Sequence, residues 1–243
     1  PRVLLTGLDQ LAELGAVDLI GAHGSPLTKE TDIPKRIRDY RDSIQFMWDQ
    51  TVRCANMGLT LNETIARIHL PTYFKNHYTT QQFYGVVEHH VRQIYTGLFG
   101  WFDEDEANLF PTPAPQRAQK LIRGFGGISK VREEIDQALA SQDFRWAIEV
   151  SSWLVRSELN GAGRADAGEP EDRMRLANAL RGVAHSTTAA NIRNWCLTRA
   201  LELDEKISIE RFRVHRFHKR EVLSRPACES LPLLRVLLVP EKT

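Results

Sequence analysis

Residues 21–27 read GAHGSPL and set one imidazole, that of His23, in a turn flanked by glycines. Directly before it, residues 17–20 form a short apolar run with the β-branched bias of a buried strand. A histidine just past a strand's carboxyl end stands where open α/β layers hold their ligands. Imidazole can bind a metal, move a proton or hydrogen-bond a substrate, although a single loop histidine is most often a surface residue. A zinc site needs three or four donors, and the chain contains no His-x-His, Cys-x-x-Cys or His-Glu-x-x-His. Co-ligands of His23 therefore have to come from elsewhere.

The elements around this turn read as helices. Leu4, Leu5, Leu8, Leu11 and Leu14 recur at helical spacing, and Gly15 closes that segment. Pro34 suits the first turn of a long helix running to about Met57. Along it Ile37, Tyr40, Ile44, Met47, Trp48, Thr51, Val52 and Ala55 trace an apolar face, while Arg36, Arg38, Asp39, Arg41, Asp42 and Asp49 keep the rest wet. Gly58 stops it. Thr60 and Glu63 have the spacing of a capping box that opens a short helix limited by Pro71.

A third helix is predicted over 80–99, carrying Phe83, Val86, Val87, His90, Val91, Ile94, Tyr95 and Leu98. The proline-rich run 110–115 reads as an extended connection. Amphipathic helices follow over 116–125, 128–141 and 143–159, with Asp143 as an N-cap. The Gly/Ala-rich residues 160–168 read as a loop, and 170–183 with 187–203 as a helical hairpin. Paired helices of this length suggest a tetratricopeptide-like arrangement without a clean repeat. The tail changes character: 207–217 alternates and is basic, and 231–239 (LPLLRVLLV) is a strand-like run, so the start of an α/β domain is expected there.

Composition excludes several classes. The 243 residues are 42% hydrophobic and 26% charged, ordinary for a globular chain, and the net charge of +1 argues against a nucleic-acid surface. No run approaches the roughly 18 apolar residues of a membrane span. Cys54, Cys196 and Cys228 are odd in number and far apart, which argues against a disulfide framework and leaves a periplasmic, secreted or cytoplasmic setting open. The opening Pro1 and the absence of an initiating Met suggest a piece of a longer chain.

Several segments together resemble the alkyl sulfatase (dodecyl-sulfate hydrolase-like) branch of the metallo-β-lactamase-fold hydrolases. They are RDSIQFMWDQT at 41–51, IHLP at 68–71, FYGVVEH at 83–89, GWFD at 100–103 with ANL at 107–109, and DFRWA at 143–147. The likeness covers roughly residues 1 to 203. It implies a mainly α chain: 1–33 as the last helix and strand of the metal-binding αββα domain, 34–203 as an all-helical dimerisation domain, and 204–243 as a linker and the start of a sterol-carrier-like α/β domain.

The resemblance also implies roles. His23-Gly24-Ser25-Pro26 matches the first His and the Pro of the family's His-His-Trp-Pro stretch, which makes His23 a zinc ligand, one of a set holding two ions whose other members lie upstream. His89 corresponds to the His of the family's Tyr-Tyr-Gly-Ser-x-x-His-Asn, where it would bind a sulfate oxyanion or protonate the leaving oxygen; His90 replaces the Asn. Tyr95 is a weaker candidate and reads more readily as core. The expected function is that of the C-terminal part of a zinc-dependent hydrolase. It would cleave sulfate esters with apolar tails by metal-activated water, the helical domain supplying homodimerisation and a pocket wall. The alternatives are a helical dimerisation module without activity, with Trp48, Phe99, Trp101 and Trp153 as surface aromatics, and a hydrolase of another ester.

Overall fold

In the computed structural model, which describes residues 1–28, 31–75, 77–157, 168–209, 224 and 226–230, the chain is mainly helical. Helix α1 (Arg2–Glu13) lies on α2 (Ile33–Asn56), which also carries α3 (Leu61–Arg67) and α5 (Val87–Phe99), with the single turn α4 (Thr72–Lys75) between them. The second half stacks α6 (Ala114–Gly124), α7 (Ile128–Ala140), α8 (Phe144–Ser157), α9 (Pro170–Ser186) and α10 (Ala190–Leu203), and a short α11 (Ala227–Ser230) follows.

Local chemistry explains the long α2. The Asp32 carboxylate accepts the Lys35 N–H at 3.0 Å and Pro34 occupies the first turn, so the start is capped and preset. Ser43 and Thr51 stay inside the helix by donating their hydroxyls to the Tyr40 and Met47 carbonyls, both at 2.7 Å. Its buried stripe packs Met47 against Ile94 and Leu70, and Cys54 against Val91 and Ile68. Thr60 and Glu63 form the expected capping box of α3, the Glu63 carboxylate accepting the Thr60 N–H at 2.8 Å.

The second half has its own core. Val131, Ile135 and Val150 are fully buried between α6, α7 and α8, and each contributes about 1.5–3 kcal/mol of transfer free energy. Ala177, Ala184 and Ala200 let α9 and α10 approach closely around Leu180 and Leu203. Arg132 reaches across from α7 and grips the buried Asp172 of α9 with two hydrogen bonds of 2.8 Å, a bidentate pair. Trp48 and Trp153 pack against these cores, whereas Phe99 and Trp101 are exposed.

Some expectations change. Val17 and Ile20 are 68% and 79% exposed rather than buried, and the segment makes one isolated antiparallel bridge, Leu19 to Leu27, because a strand needs neighbours and the described residues bring it no other. The helix expected over 80–99 begins at Val87. A 3₁₀ turn covers Tyr78–Thr80, and residues 81–86 form a bent, non-helical loop tied by tertiary bonds, with the Ala190 N–H donating to the Phe83 carbonyl at 2.7 Å and the Thr188 hydroxyl to the Gln82 carbonyl at 3.1 Å. Ala114 and Pro115, expected in the extended connection, form the first turn of α6, where a proline lacks nothing. The readings of 210–223 and 231–243, and most of the 160–168 loop, lie outside the described residues.

Gly182 in α9 faces Phe144 of α8 so closely that a Cβ there would sit 2.5 Å from Phe144 Cγ. Replacing glycine by alanine inside a helix normally gains about 0.5–1 kcal/mol. Here overpacking, which costs about 1–3 kcal/mol, is the larger effect. Gly182→Ala is expected to lower the thermal midpoint followed by circular dichroism; a raised midpoint refutes this account of the α8–α9 contact.

Candidate functional site

Helices α1, α2 and α5 and the loops 19–24 and 78–85 enclose a cavity of about 1220 Å³. Its wall is largely apolar, with Leu4, Leu8 and Leu11 from α1, Ile37, Ile44 and Met47 from α2, and Ile94 from α5. Polar groups gather toward the loops: His23, Arg36, Tyr78, Thr79, Tyr84 and His90. No Asp or Glu is among the described residues that line it.

Two loops dock on each other to place His23. Gly24 has φ +88° and lies against the Tyr78 hydroxyl, in a space where a Cβ would overlap that oxygen, so both backbone and packing demand glycine. The His23 ring then rests 5.2 Å from the Tyr84 ring, centroid to centroid. His23 is thus in the cavity wall, exposed on its other side. Among the described residues no group of three or more His, Cys, Asp or Glu side chains converges. A hydrolytic zinc site takes three protein donors, so His23 accounts for one at most and the described residues do not form such a site.

The adjacent histidines on α5 separate. Both are exposed, and only His90 is part of the cavity wall. The His90 ring occupies the space left by Gly85: a Cβ there would meet Nε2 at 2.5 Å and Cε1 at 2.6 Å. Surrounding protein strips water from the imidazole and holds its pKa below the ordinary 6.5, with the neighbouring His89 charge adding to the effect. The shift favours the neutral, hydrogen-bonding form of His90 over the cation. Tyr95 is 2% exposed, with its hydroxyl donating to the Leu59 carbonyl at 3.3 Å, and burial raises its pKa further, helped by Glu104 and Asp103. It stands in the core between α3 and α5.

A polar network backs the cavity where α2 meets α4. Lys35 Nζ donates to Asp39 Oδ2 at 2.9 Å and to the Tyr73 hydroxyl at 2.6 Å, and Tyr73 donates to Asp39 Oδ1 at 2.9 Å. Burial alone would raise the Asp39 pKa, but the hydrogen bonds from Lys35 and Tyr73 outweigh it and hold the carboxyl below its usual range. Asp39, expected on the wet face, is 6% exposed. Arg36, also expected there, lines the cavity and donates to His77 Nδ1 at 2.6 Å. Both His90 and Arg36 escaped the sequence reading as site residues. The available signal for Arg36 was its spacing with Tyr40, Ile44 and Met47, which puts it on the cavity stripe of α2.

These elements form a helical scaffold around a largely apolar cavity whose wall also holds two imidazoles and a guanidinium. Residues 60–206 match the alkyl sulfatase dimerisation family, and the chain belongs to that family. It is 34% identical over 209 residues to a linear primary-alkylsulfatase of Pseudomonas sp., which covers 85% of this chain and 38% of that protein. It is 29% identical over 189 residues to the alkyl/aryl-sulfatase BDS1 of Saccharomyces cerevisiae, covering 78% of this chain and 28% of that protein. The solved structure of the stereoselective inverting sec-alkylsulfatase Pisa1 from Pseudomonas sp. superposes with a TM-score of 0.73 at 25% identity, over 84% of this chain and 31% of that one. A double mutant of the same enzyme gives 0.75 at 26% identity, over 84% and 32%. The chain therefore spans between about a quarter and two fifths of the length of these relatives.

The depressed pKa of His90 has a pH consequence. Between its folded value and 6.5 the unfolded chain binds more protons, so this residue's contribution to stability is present above 6.5 and is lost as pH falls through the folded value. In a histidine NMR titration His90 is expected to titrate below 6.5, and Gly85→Ala, by pushing the ring out, to move it upward toward 6.5. A wild-type titration at or above 6.5 contradicts the seat of the ring against Gly85.

Proposed function

We propose that this chain is the helical portion of an alkyl sulfatase-like hydrolase that cleaves sulfate esters with apolar tails, and that its cavity receives the substrate. The observation that carries this reading is the division of the cavity into a leucine-, isoleucine- and methionine-lined part and a polar end with a cation, two imidazoles and no described carboxylate. An amphiphile with an anionic head matches both ends, since the tail gains about 0.8 kcal/mol per buried CH₂ and the head meets donors without repulsion. His90, in the cavity wall and with its neutral form favoured, is the imidazole we assign to hydrogen-bond an ester oxygen. The role proposed for His89, holding the sulfate oxyanion or protonating the leaving oxygen, is to be compared with His90 residue by residue.

Zinc dependence is part of the proposal, with His23 as one ligand and the other donors outside the described residues. The membership of the dimerisation family supports a homodimer. Among the described residues no helix is long and apolar enough to cross a membrane.

Three measurements test these statements. Affinity of the chain for hexyl, octyl and decyl sulfate, below their micellar concentrations, is expected to rise about fourfold per added CH₂, and Leu8→Asp to abolish the tail dependence. Affinity independent of tail length excludes the cavity as the tail site. Zinc analysis of the dialysed chain is expected to give well under one tightly held ion, lost in His23→Ala; a full complement retained in both removes His23 from the ligand set. Light scattering is expected to give twice the chain mass, and a strict monomer contradicts the homodimer.

A further inference from the structure

Arg36 differs from the other well-placed arginines. Arg41 pairs with Asp9, Arg132 with Asp172, Arg175 with Asp136 and Arg181 with Asp204, so each of those guanidinium charges is largely neutralised where it sits. Arg36 instead meets His77 Nδ1 at 2.6 Å. A guanidinium only donates, so Nδ1 must carry the lone pair and the imidazole proton must be on Nε2, which makes His77 neutral in this contact. A neutral acceptor orients the fork without cancelling its charge.

The surroundings preserve that arrangement. The buried carboxylate nearest along α2, Asp39, is occupied by Lys35 and Tyr73. Tyr73 in turn supports the His77 ring at a centroid distance of 4.7 Å. Two residues beyond His77, the Thr79 hydroxyl lies buried in the cavity wall without a hydrogen-bond partner. A buried polar group costs free energy unless something bonds it, and the missing partner is what an oxyanion would supply.

Resting on the reading of the cavity as a sulfate-ester site, we propose that Arg36 is the residue that recognises the anionic head of the substrate, with His77 as its positioning residue and the Thr79 hydroxyl as a further donor. The guanidinium fork binds the sulfate oxygens bidentately, and the tail runs along Ile37, Ile44 and Met47 on the same face of α2.

The test compares octyl sulfate with octan-1-ol, which has the same tail and no charge, by calorimetry on the full chain. Arg36→Gln is expected to weaken octyl sulfate about 10- to 100-fold while leaving octan-1-ol within about twofold. Arg36→Lys keeps the charge and loses the fork, so it falls between them. His77→Asn retains an acceptor and is expected to keep most of the preference for the anion, whereas His77→Phe keeps the ring contact with Tyr73 and loses the preference. Unchanged octyl sulfate affinity in Arg36→Gln, with helicity intact, overturns the assignment while leaving the cavity reading in place. If neither ligand binds the wild-type chain, both fall. Should Arg36→Gln not fold, competition decides: inorganic sulfate displaces octyl sulfate from the wild type and from Arg36→Lys if the head site exists, and fails to do so if it does not.

Discussion

Helix α2 faces three sets of neighbours at once, and the geometry of the site depends on how it divides its surface among them. One stripe, from Met47 to Cys54, is buried against α5 and the segment after α3 and holds the first half of the molecule together. A second, from Arg36 through Tyr40 to Ile44, opens onto the cavity. Between them Asp39 and Lys35 turn toward Tyr73 of α4. Because side chains on a helix are fixed in angular order, none of these contacts can shift without moving the others. The cavity is the space left where α1 and α5 both meet α2 but do not close on each other.

Loops finish the site, and they are positioned by remote parts of the chain. Residues 81–86 would extend α5 on propensity alone. Thr188 and the first residue of α10 tie them into a non-helical loop instead, through the Thr188 hydroxyl and the Ala190 N–H. That displacement lets Gly85 lie under the His90 ring and brings Tyr84 against His23. The packing of the second half therefore reaches the site without contributing a helix to its wall. Desolvation by the cavity wall then lowers the His90 pKa, and the guanidinium of Arg36 supplies positive charge among the polar lining groups.

Much of the helical architecture is legible in the residues themselves. The leucine spacing of α1, the Pro34 start of α2, the Thr60–Glu63 box and the Asp143 cap each act over a short stretch of chain, and each is where the sequence puts it. His23 stands out in the sequence because glycines frame it, and the fold places it in the cavity wall. Arg36 and Asp39 were not legible, since a charged residue beside an apolar stripe looks solvated until the partners from α4 and the following loop are known.

The sequence by itself determined the helical class, most helix boundaries and the kinship, because capping, periodicity and motif residues are local and additive properties. Tertiary structure alone decided that 81–86 stays out of the helix and that Arg36 turns inward toward His77. The physical reason is common to both. Each is set by a contact between groups far apart in the chain, and the energy of such a contact exists only once both partners are in place.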